Sequence, residues 1–209
     1  MIVCCYTAIN NNWSSEELEQ KIAPLPKTLK EKVLQKRNIR DVQLSVTGKL
    51  LLLQLLQRFH LQLALTDIEW DNYHRPHFNA NFDFNISHSG DRIVCCGTTD
   101  GKIGADIELV QPIDFNDYTT YFNRNEWYNI LKPDDKTGAF FKFWTRKEAV
   151  LKASGTGFYI PLQDMDVVAD DVEYNGHHYY LTPLSINIGY QCHIATTVKQ
   201  DINLIEITL

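Results

Sequence analysis

Three carboxylates and a lysine, divided between two segments, are the side chains of this sequence best suited to chemistry. Asp106 and Glu108 lie in the first segment, and Glu148 and Lys152 lie in the second. Carboxylate oxygens suit a hard cation such as Mg²⁺, which usually takes one or two of them and completes its shell with water and substrate phosphate. A lysine one helical turn from such a ligand can neutralise a phosphate oxygen. The pattern therefore predicts an enzyme that holds a divalent cation against a phosphate.

The two segments have the periodicities of a strand and of a helix. Residues 103–109 alternate apolar residues with Gly104 and the two carboxylates, which is the pattern of a half-buried strand. The carboxylates then share one face of the strand, and the glycine on that face leaves room for a ligand or another backbone to come close. Trp144, Glu148 and Lys152 are spaced i, i+4, i+8 and form one stripe on a helix. A strand and a helix are thus expected to bring the charged groups together.

Each segment alone also fits an ordinary surface. An Asp-x-Glu strand is most often the solvent face of a sheet. Glu148 and Lys152 have the favoured orientation of a surface ion pair, which stabilises a helix by only about 0.2–0.5 kcal/mol. The two motifs together, in this order and with Trp144, favour the metal site.

The combination resembles the signature of a known family. Residues 104–108 (Gly-x-Asp-x-Glu) followed by residues 144–152 (Trp-x-x-Lys-Glu-Ala-x-x-Lys) are similar to the motifs of the 4′-phosphopantetheinyl transferases. The resemblance is to the long, single-chain, surfactin-synthetase-activating type. Two upstream elements match as well, at residues 84–89 (Phe-Asn-Ile-Ser-His-Ser) and at residues 75–76 (Arg-Pro).

The resemblance implies an α+β fold in which two similar α/β subdomains have a pseudo-twofold arrangement, with the active site between them. We expect the subdomains at residues 1–112 and 113–209, joined near residues 110–117, where Pro112 and polar residues break the strand pattern. It also implies a Mg²⁺-dependent enzyme that moves the 4′-phosphopantetheine arm of coenzyme A to a serine of an acyl or peptidyl carrier protein. The released product would be adenosine 3′,5′-bisphosphate.

The same resemblance implies roles for individual residues. Asp106, Glu108 and Glu148 would coordinate Mg²⁺, with Mn²⁺ as the alternative ion. Lys152 would contact the diphosphate, and Glu148 is the candidate base for the serine proton. The expected catalytic residues are therefore Glu148, Lys152 and Asp106. Coenzyme A would be bound by Arg75 at the nucleotide end, by His88 at a phosphate (the 3′-phosphate), by Ser87 beside it, and by Lys152.

The sequence departs from the family pattern at two positions. His74 stands where the family usually has glycine before the basic residue, which is expected to alter that turn. Leu44 stands where many relatives carry an arginine that contacts the nucleotide. Arg40 lies one helical turn earlier on the same face and is the predicted substitute.

Periodicity and turn signals predict helices and strands in two similar halves. The first half has helices at 28–38 and 41–59 and strands at 83–87, 91–98 and 102–109. The second half has helices at 123–132 and 137–153 and strands at 165–173, 177–182, 190–198 and 202–208. Short echoes between residues 92–99 and 192–198, and between 106–109 and 204–207, support a repeat.

Composition predicts a globular cytoplasmic protein, expected to be a monomer. The 209 residues, 44% of them hydrophobic, suffice for a core, and a net charge of −6 argues against a nucleic-acid partner. The beginning of the sequence lacks the features of a signal peptide. Polar residues interrupt the leucine-rich segment 50–65, which favours a buried helix over a membrane span. The five cysteines lack a C-x-x-C spacing and predict a reducing compartment without a disulfide or chelate. His74 and His77 lack further ligands at a usual zinc spacing.

Residues 27–40 are strongly basic within this acidic chain, with six cations against the single acid Glu31. One interpretation is the solvated face of an amphipathic helix. The other is a local attractor for a polyanion, either coenzyme A or an acidic carrier protein.

Two other classes of function remain open from the sequence. The same carboxylates could serve a metal-dependent phosphodiesterase or nucleotide hydrolase, or the chain could be a non-catalytic carrier-binding module. Residues 121–127 mix aromatic residues with Arg124 and are the predicted acceptor surface, although a core helix would have a similar composition.

Overall fold

The computed structural model describes residues 1–157 and 161–209 of the chain. The described helices and strands follow one another in runs, as in an α+β fold. They are β1 (Ile2–Ala8), α1 (Ser15–Ile22), α2 (Lys27–Leu34), α3 (Ile39–Arg58), β2 (Ile68–Trp70), β3 (Pro76–Phe78), β4 (Asp83–Ser89), β5 (Arg92–Thr98), β6 (Ile103–Leu109), α4 (Arg124–Leu131), α5 (Lys136–Ser154), β7 (Asp171–Tyr174), β8 (His177–Pro183), β9 (Tyr190–Thr196) and β10 (Ile202–Glu206).

Two four-stranded sheets form the centre of the molecule. The first sheet has the strand order β10-β1-β5-β4, and the second has the order β6-β9-β8-β7. Alternation along each strand divides its side chains between two cores. On β1, Ile2 and Cys4 face the core between the sheets, whereas Val3 and Cys5 face the core under α3. α5 packs on β6 and β9 from the opposite side, so the layers run helix, sheet, sheet, helix.

The two halves exchange their last strands. β4 and β5 form a hairpin in the first sheet, but the following strand β6 pairs with β9 in the second sheet. β8 and β9 form the corresponding hairpin, and the following strand β10 returns to pair with β1 in the first sheet. This reciprocal exchange gives the expected pseudo-twofold arrangement of two α/β halves. Because a strand of each half completes the sheet of the other, the division at residues 112 and 113 stays a prediction.

The sheets meet where β4 lies beside β6. Four side chains of β4 accept hydrogen bonds from alternate backbone N–H groups of β6, in place of a backbone ladder. Asp83 Oδ2 accepts from Ile103 at 2.8 Å and Asn85 Oδ1 from Ala105 at 3.0 Å. Ser87 and Ser89 accept the other two hydrogen bonds of this kind. We call this row of side-chain contacts the seam and each of its four contacts a rung.

Most predicted elements are present with shifted ends, but the strands β1, β2 and β3 were not predicted, and two further regions differ from the sequence prediction. Residues 15–22 form a helix that the prediction missed, although Ser14 and Glu17 have the spacing of a capping box and bond each other reciprocally. The strand predicted at 165–173 begins only at Asp171. The backbone of Met165, Val167 and Ala169 bonds to side chains of α4 and α5. The Asp170 carbonyl oxygen, directly before β7, accepts from the Leu181 N–H of β8 at 2.7 Å.

The leucine-rich segment forms the C-terminal part of α3, and Leu51, Leu52, Leu55 and Leu56 are all buried in the first core. Among the described residues, no helix has the length and apolarity that crossing a membrane requires. All five cysteines are free and buried.

Candidate active site

β6 and α5 supply the three predicted metal ligands, and the glycine at position 104 allows the two elements to approach. A Cβ at Gly104 would overlap the carbonyl oxygen of Ala149 and the amide nitrogen of Ala153 on α5. The close approach expected from the sequence is therefore confirmed. Asp106 and Glu108 follow on the same face of β6, so they lie along the helix that carries Glu148 and Lys152.

Asp106 is a buried carboxylate held on one oxygen. Lys152 Nζ donates to Asp106 Oδ1 at 2.5 Å, and Ser87 Oγ donates to the same oxygen at 3.0 Å. Asp106 Oδ2 is buried and has no hydrogen-bond partner among the described residues. Burial raises the pKa of Asp106, and the opposing charge of Lys152 lowers it by less. One oxygen of Asp106 is therefore held by two hydrogen bonds, and the other is without a partner in the described part of the chain.

Glu108 has a similar contact one step along β6. Ser89 Oγ donates to Glu108 Oε2 at 2.7 Å. Partial burial raises the pKa of Glu108, and repulsion by Asp106 raises it further. The two carboxylates of β6 therefore interact with each other as well as with their serines.

Glu148 faces both of these carboxylates from α5. Its Oε1 atom is buried and lacks a hydrogen-bond partner within residues 1–157 and 161–209. Burial, followed by repulsion from Asp106 and Glu108, raises its pKa to about 7, although Lys152 acts in the opposite direction. The three carboxylates repel one another, and Lys152 is the cation that opposes this repulsion at each of them.

The donor chemistry fits a divalent cation of the Mg²⁺ type. All three predicted ligands are carboxylates, and Asp106 and Glu148 each have one buried oxygen without a hydrogen-bond partner among the described residues. The described residues contain no group of three or more His, Cys, Asp or Glu side chains already arranged as a metal cluster. Residues Asp106, Glu108 and Glu148 thus fit the ion by ligand type and charge, and their assignment as ligands stays a prediction.

Arg75 has partners that the sequence did not reveal. Its guanidinium forms a two-pronged pair with Asp83, with distances of 2.7 and 2.8 Å. It also donates to the carbonyl oxygens of Lys152 and Ile103, each at 3.0 Å. Arg75 therefore connects the seam to the end of α5, and its predicted contact with the nucleotide stays untested.

The turn before Arg75 keeps the shape that glycine would favour. His74 has a φ of 62°, in the left-handed region that few non-glycine residues occupy. Asp71 Oδ1 accepts from the backbone N–H groups of Tyr73 and Arg75 at 2.8 and 2.9 Å and so holds the turn. His74 thus adopts a backbone conformation that glycine adopts readily, and whether the turn differs from that of the family stays untested.

Arg40 and Leu44 do not reach the carboxylates. Arg40 donates to the carbonyl oxygen of Ile9 at 3.0 Å and approaches that of Gly90 at 3.5 Å. Leu44 is buried in the first core. The suggested substitution of Arg40 for a nucleotide-binding arginine stays a prediction.

His88 lies in a positive environment. Partial desolvation of the ring lowers its pKa, and the charges of Lys152 and Lys36 lower it further. The side chain is exposed at the surface next to the seam. Such a histidine can donate hydrogen bonds to an anion. The Ser87 hydroxyl has less capacity to bind an anion, because its proton is already donated to Asp106. It also accepts from Lys152 Nζ at 3.2 Å and from the Ile107 N–H at 3.3 Å.

Two cavities open beside these residues. One, of about 280 Å³, is lined by Glu148 and Lys152 together with the turn at residues 73–76. The other, of about 250 Å³, is lined by Lys32, Lys36 and Lys49, by Trp70, and by apolar residues. Pro76 lines both cavities, so they adjoin. A cavity of about 460 Å³ near Arg58 and His60 is lined by none of the three carboxylates.

Lys49 is a candidate residue that the sequence analysis missed. Its ammonium donates to Ser45 O at 3.1 Å and to Ser45 Oγ at 3.0 Å. Burial, together with repulsion from Lys36 and Lys32, lowers its pKa to about 8. These lysines make the second cavity a region of positive potential. The basic segment predicted at residues 27–40 therefore continues onto α3, where Lys49 had no distinguishing neighbour in the sequence.

Comparisons with known proteins identify the family of the chain. A model of the 4′-phosphopantetheinyl transferase superfamily matches residues 102–199, and a model of a 4′-phosphopantetheinyl transferase N-terminal region matches residues 11–100. The 4′-phosphopantetheinyl transferase Sfp of Bacillus subtilis (strain 168) is 31% identical over 74% of this chain and 70% of its own length. The transferase ffp of Bacillus subtilis is 26% identical over 92% of both chains. The transferase gsp of Aneurinibacillus migulanus is 33% identical over 60% of this chain, which spans 54% of gsp.

The chain belongs to the 4′-phosphopantetheinyl transferase family and is therefore a transferase enzyme. Its predicted family and its α+β fold class are confirmed. A search of solved structures also matched the holo-[acyl-carrier-protein] synthase (AcpS) of Thermotoga maritima, with a TM-score of 0.37, 16% identity, and coverage of 47% of this chain and 64% of that chain.

Proposed function

We propose that this protein transfers the 4′-phosphopantetheine arm of coenzyme A to a serine hydroxyl of an acyl or peptidyl carrier protein. The reaction would need Mg²⁺ and would release adenosine 3′,5′-bisphosphate. One observation carries the proposal: Asp106, Glu108 and Glu148 repel one another across β6 and α5, where Lys152 pairs with Asp106. The adjoining cavity is lined by Lys32, Lys36 and Lys49. The family of the chain and the names of its relatives support the same reaction.

The reaction is an attack by an alcohol on a diphosphate phosphorus. A bond forms between the carrier serine oxygen and the phosphorus of the pantetheine side, and the bond to the leaving nucleotide phosphate breaks. Little covalent chemistry is required of the protein, so its contribution is to hold the two oxygens in line and to stabilise the developing charge. Rigid elements that present charged groups at fixed positions suit that task.

Asp106, Glu108 and Glu148 would hold the metal ion. Bound there, Mg²⁺ would supply positive charge to the diphosphate oxygens and lower the repulsion among the carboxylates. The proposal is supported by the unpartnered oxygens of Asp106 and Glu148 in the described part of the chain. Mn²⁺ has the same ligand preferences and is the alternative ion.

The cations beside the carboxylates would bind the phosphates of coenzyme A. Lys152 side-chain atoms are 29% exposed, so its ammonium can contact a diphosphate while it balances Asp106. His88 lies near both Lys152 and Lys36 and would hold a further phosphate. Trp70, which is 49% exposed at the cavity of Lys32 and Lys49, offers a flat apolar surface to the nucleotide. The two adjoining cavities would thus form one continuous binding site for the anionic coenzyme A.

Glu148 is the proposed base for the serine proton. Without a metal ion its pKa is about 7, because of burial and the neighbouring carboxylates, and a bound cation would lower this pKa, so its roles as ligand and as base would compete. Glu148 lines the same cavity as Lys152, which supports a role close to the diphosphate.

Incubation of the protein with coenzyme A, Mg²⁺ and candidate apo-carrier proteins tests the proposal directly. Mass spectrometry of the carrier should show addition of the phosphopantetheine arm, and chromatography should show an equal amount of adenosine 3′,5′-bisphosphate. Asp106→Ala should abolish both, whereas Glu173→Ala, at an exposed position of β7, should leave both unchanged.

Two results would contradict the proposal. Release of nucleotide without a carrier, at the full rate, would indicate a hydrolase rather than a transferase. Near-normal transfer by a folded Asp106→Ala variant at saturating Mg²⁺ would remove the metal assignment. Carriers from fatty-acid, polyketide and peptide synthesis should be compared, because the charges of the site do not select among them.

A further inference from the structure

We infer that the seam serines Ser87 and Ser89 are positioning residues, which hold one oxygen of each β6 carboxylate so that the other oxygen is presented to the cation. This inference rests on the proposed function, since it concerns the metal ligands of that site. It gives the two hydroxyls a role at the carboxylates, and the predicted contact of Ser87 with coenzyme A stays a prediction. Ser89 gives the clearer test, because Ser87 Oγ also accepts a hydrogen bond from Lys152.

The seam has a constant geometry. Each rung joins a β4 side chain to the β6 N–H that lies 20 residues later in the chain. The spacing repeats every second residue, as the pleat of two neighbouring strands requires. Ser87 Oγ accepts from the Ile107 N–H at 3.3 Å, and Ser89 Oγ accepts from the Leu109 N–H at 3.1 Å.

The chemical type of the rung changes along the seam. Asp83 and Asn85 form the first two rungs with oxygens that only accept. The last two rungs are hydroxyls, which accept one hydrogen bond and still have a proton to donate. Hydroxyls appear only at the two rungs where β6 carries a carboxylate one residue earlier, at Asp106 and Glu108.

Each hydroxyl proton goes to that neighbouring carboxylate. Ser87 donates to Asp106 Oδ1 and Ser89 donates to Glu108 Oε2, at 3.0 and 2.7 Å. One serine oxygen thus bonds both the backbone and the side chain of β6 at adjacent residues, which restricts rotation of the carboxylate. At Asp106 the second oxygen is buried and unpartnered within the described residues. A carboxylate held in this way has less conformational freedom to lose when it coordinates an ion.

The test measures Mn²⁺ binding directly, by electron paramagnetic resonance of the free ion, with coenzyme A present and no carrier. Ser89→Ala should weaken Mn²⁺ affinity roughly 10-fold or more, the range found for residues that orient metal ligands. It should raise the Mg²⁺ concentration for half-maximal transfer by a similar factor, with a smaller change in the rate at saturating Mg²⁺. Ser89→Thr, which keeps the hydroxyl, should bind Mn²⁺ within about threefold of the wild type.

Thr197→Val is the matched control for the lost backbone contact. Thr197 Oγ1 accepts from the Lys102 N–H at 2.8 Å, just before β6 begins, and contacts none of the three carboxylates. Thr197→Val removes the same kind of hydrogen bond as Ser89→Ala and should leave Mn²⁺ affinity unchanged. If Ser89→Ala does not fold, Ser89→Cys keeps the side-chain volume with a weaker donor, and several-fold weaker Mn²⁺ binding is expected.

The possible results separate this inference from the proposed function. If the wild type binds Mn²⁺ and folded Ser89→Ala or Ser89→Cys binds it equally well, the positioning role is wrong and the metal site stands. If the wild type itself binds no Mn²⁺ in the presence of coenzyme A, the metal assignment fails and the positioning role fails with it. A loss in Thr197→Val equal to that in Ser89→Ala would also overturn the role, because the effect would then come from the fold.

Discussion

Glu148→Gln should make the metal-free protein more stable at pH 8, with a much smaller effect at pH 5. Glu148 is partly buried, has an unpartnered Oε1 atom in the described part of the chain, and is repelled by Asp106 and Glu108. Glutamine has nearly the same shape and is neutral at every pH. The substitution therefore removes the charge and keeps the volume.

The magnitude follows from the pKa of Glu148. The pKa is about 7 in the folded protein and 4.5 ordinarily, a difference of about 2.5, and each pKa unit corresponds to about 1.36 kcal/mol. The product, about 3 kcal/mol, is a ceiling, because the side chain is in contact with solvent and the neighbouring carboxylates share the titration. We expect a difference of about 1–3 kcal/mol in the free energy of unfolding.

The sign follows from proton linkage. Since the folded pKa is raised, the folded protein binds this proton more tightly than the unfolded chain does. The associated stability is fully present below about pH 4.5 and is lost as the pH rises through about 7. Glu148→Gln escapes this loss, so its advantage over the wild type should grow between pH 5 and pH 8.

Urea unfolding at several pH values, with a chelator present, measures the effect. Glu19→Gln, at an exposed position of α1, is the matched control, and its free energy of unfolding should stay close to that of the wild type at each pH. Addition of Mg²⁺ at pH 8 should stabilise the wild type more than Glu148→Gln, because ligands that bind only the folded state stabilise it. A Glu148→Gln variant that is less stable than the wild type at pH 8 without metal would refute the electrostatic account.

Three further predictions concern groups around the carboxylates. Lys147→Ala should lower the free energy of unfolding by about 3–5 kcal/mol in urea, because the fully buried Glu126, paired with Lys147 at 2.8 Å, would lose its counter-charge. Arg75→Lys should lower it by about 1–3 kcal/mol in the same assay, since an ammonium cannot reproduce the two-pronged contact with Asp83. The KM for coenzyme A should rise between pH 7 and pH 9 as Lys49, with a pKa of about 8, loses its charge, and the KM of Lys49→Gln should be higher at pH 7 and nearly constant over that range.

The elements that carry the site were readable from the sequence because their signals are local. The alternation at residues 103–109 gives the strand β6, and the glycine at 104 gives the close approach of α5, where a Cβ would overlap backbone atoms. The i, i+4 spacing of Glu148 and Lys152 places both on one side of α5. Each inference used neighbours within two helical turns.

The partners of the site residues were not readable, because periodicity gives the face of a side chain and not what it meets. Arg75 binds Asp83 and the carbonyl oxygen of Lys152, which is 77 residues away. Ser87 has the motif context of a ligand-binding residue, yet its hydroxyl contacts Asp106 across two sheets. The prediction of a strand at 165–173 was wrong before Asp171 for the same reason, since buried side chains of α4 and α5 bond the backbone of Met165 and Val167.

The fixed position of α5 explains how the fold tolerates three carboxylates beside one another. Near its middle, Lys147 Nζ donates to the carbonyl oxygens of Leu162 and Met165 at 2.7 and 2.5 Å. At its end, the carbonyl oxygen of Lys152 accepts from Arg75. Glu148 lies between these two anchors, so it cannot relieve its repulsion by moving the helix. The remaining ways to lower the electrostatic energy are to bind a proton or a cation, and at neutral pH a divalent cation neutralises more than one carboxylate at once. A site built on rigid elements in this way favours metal binding over rearrangement.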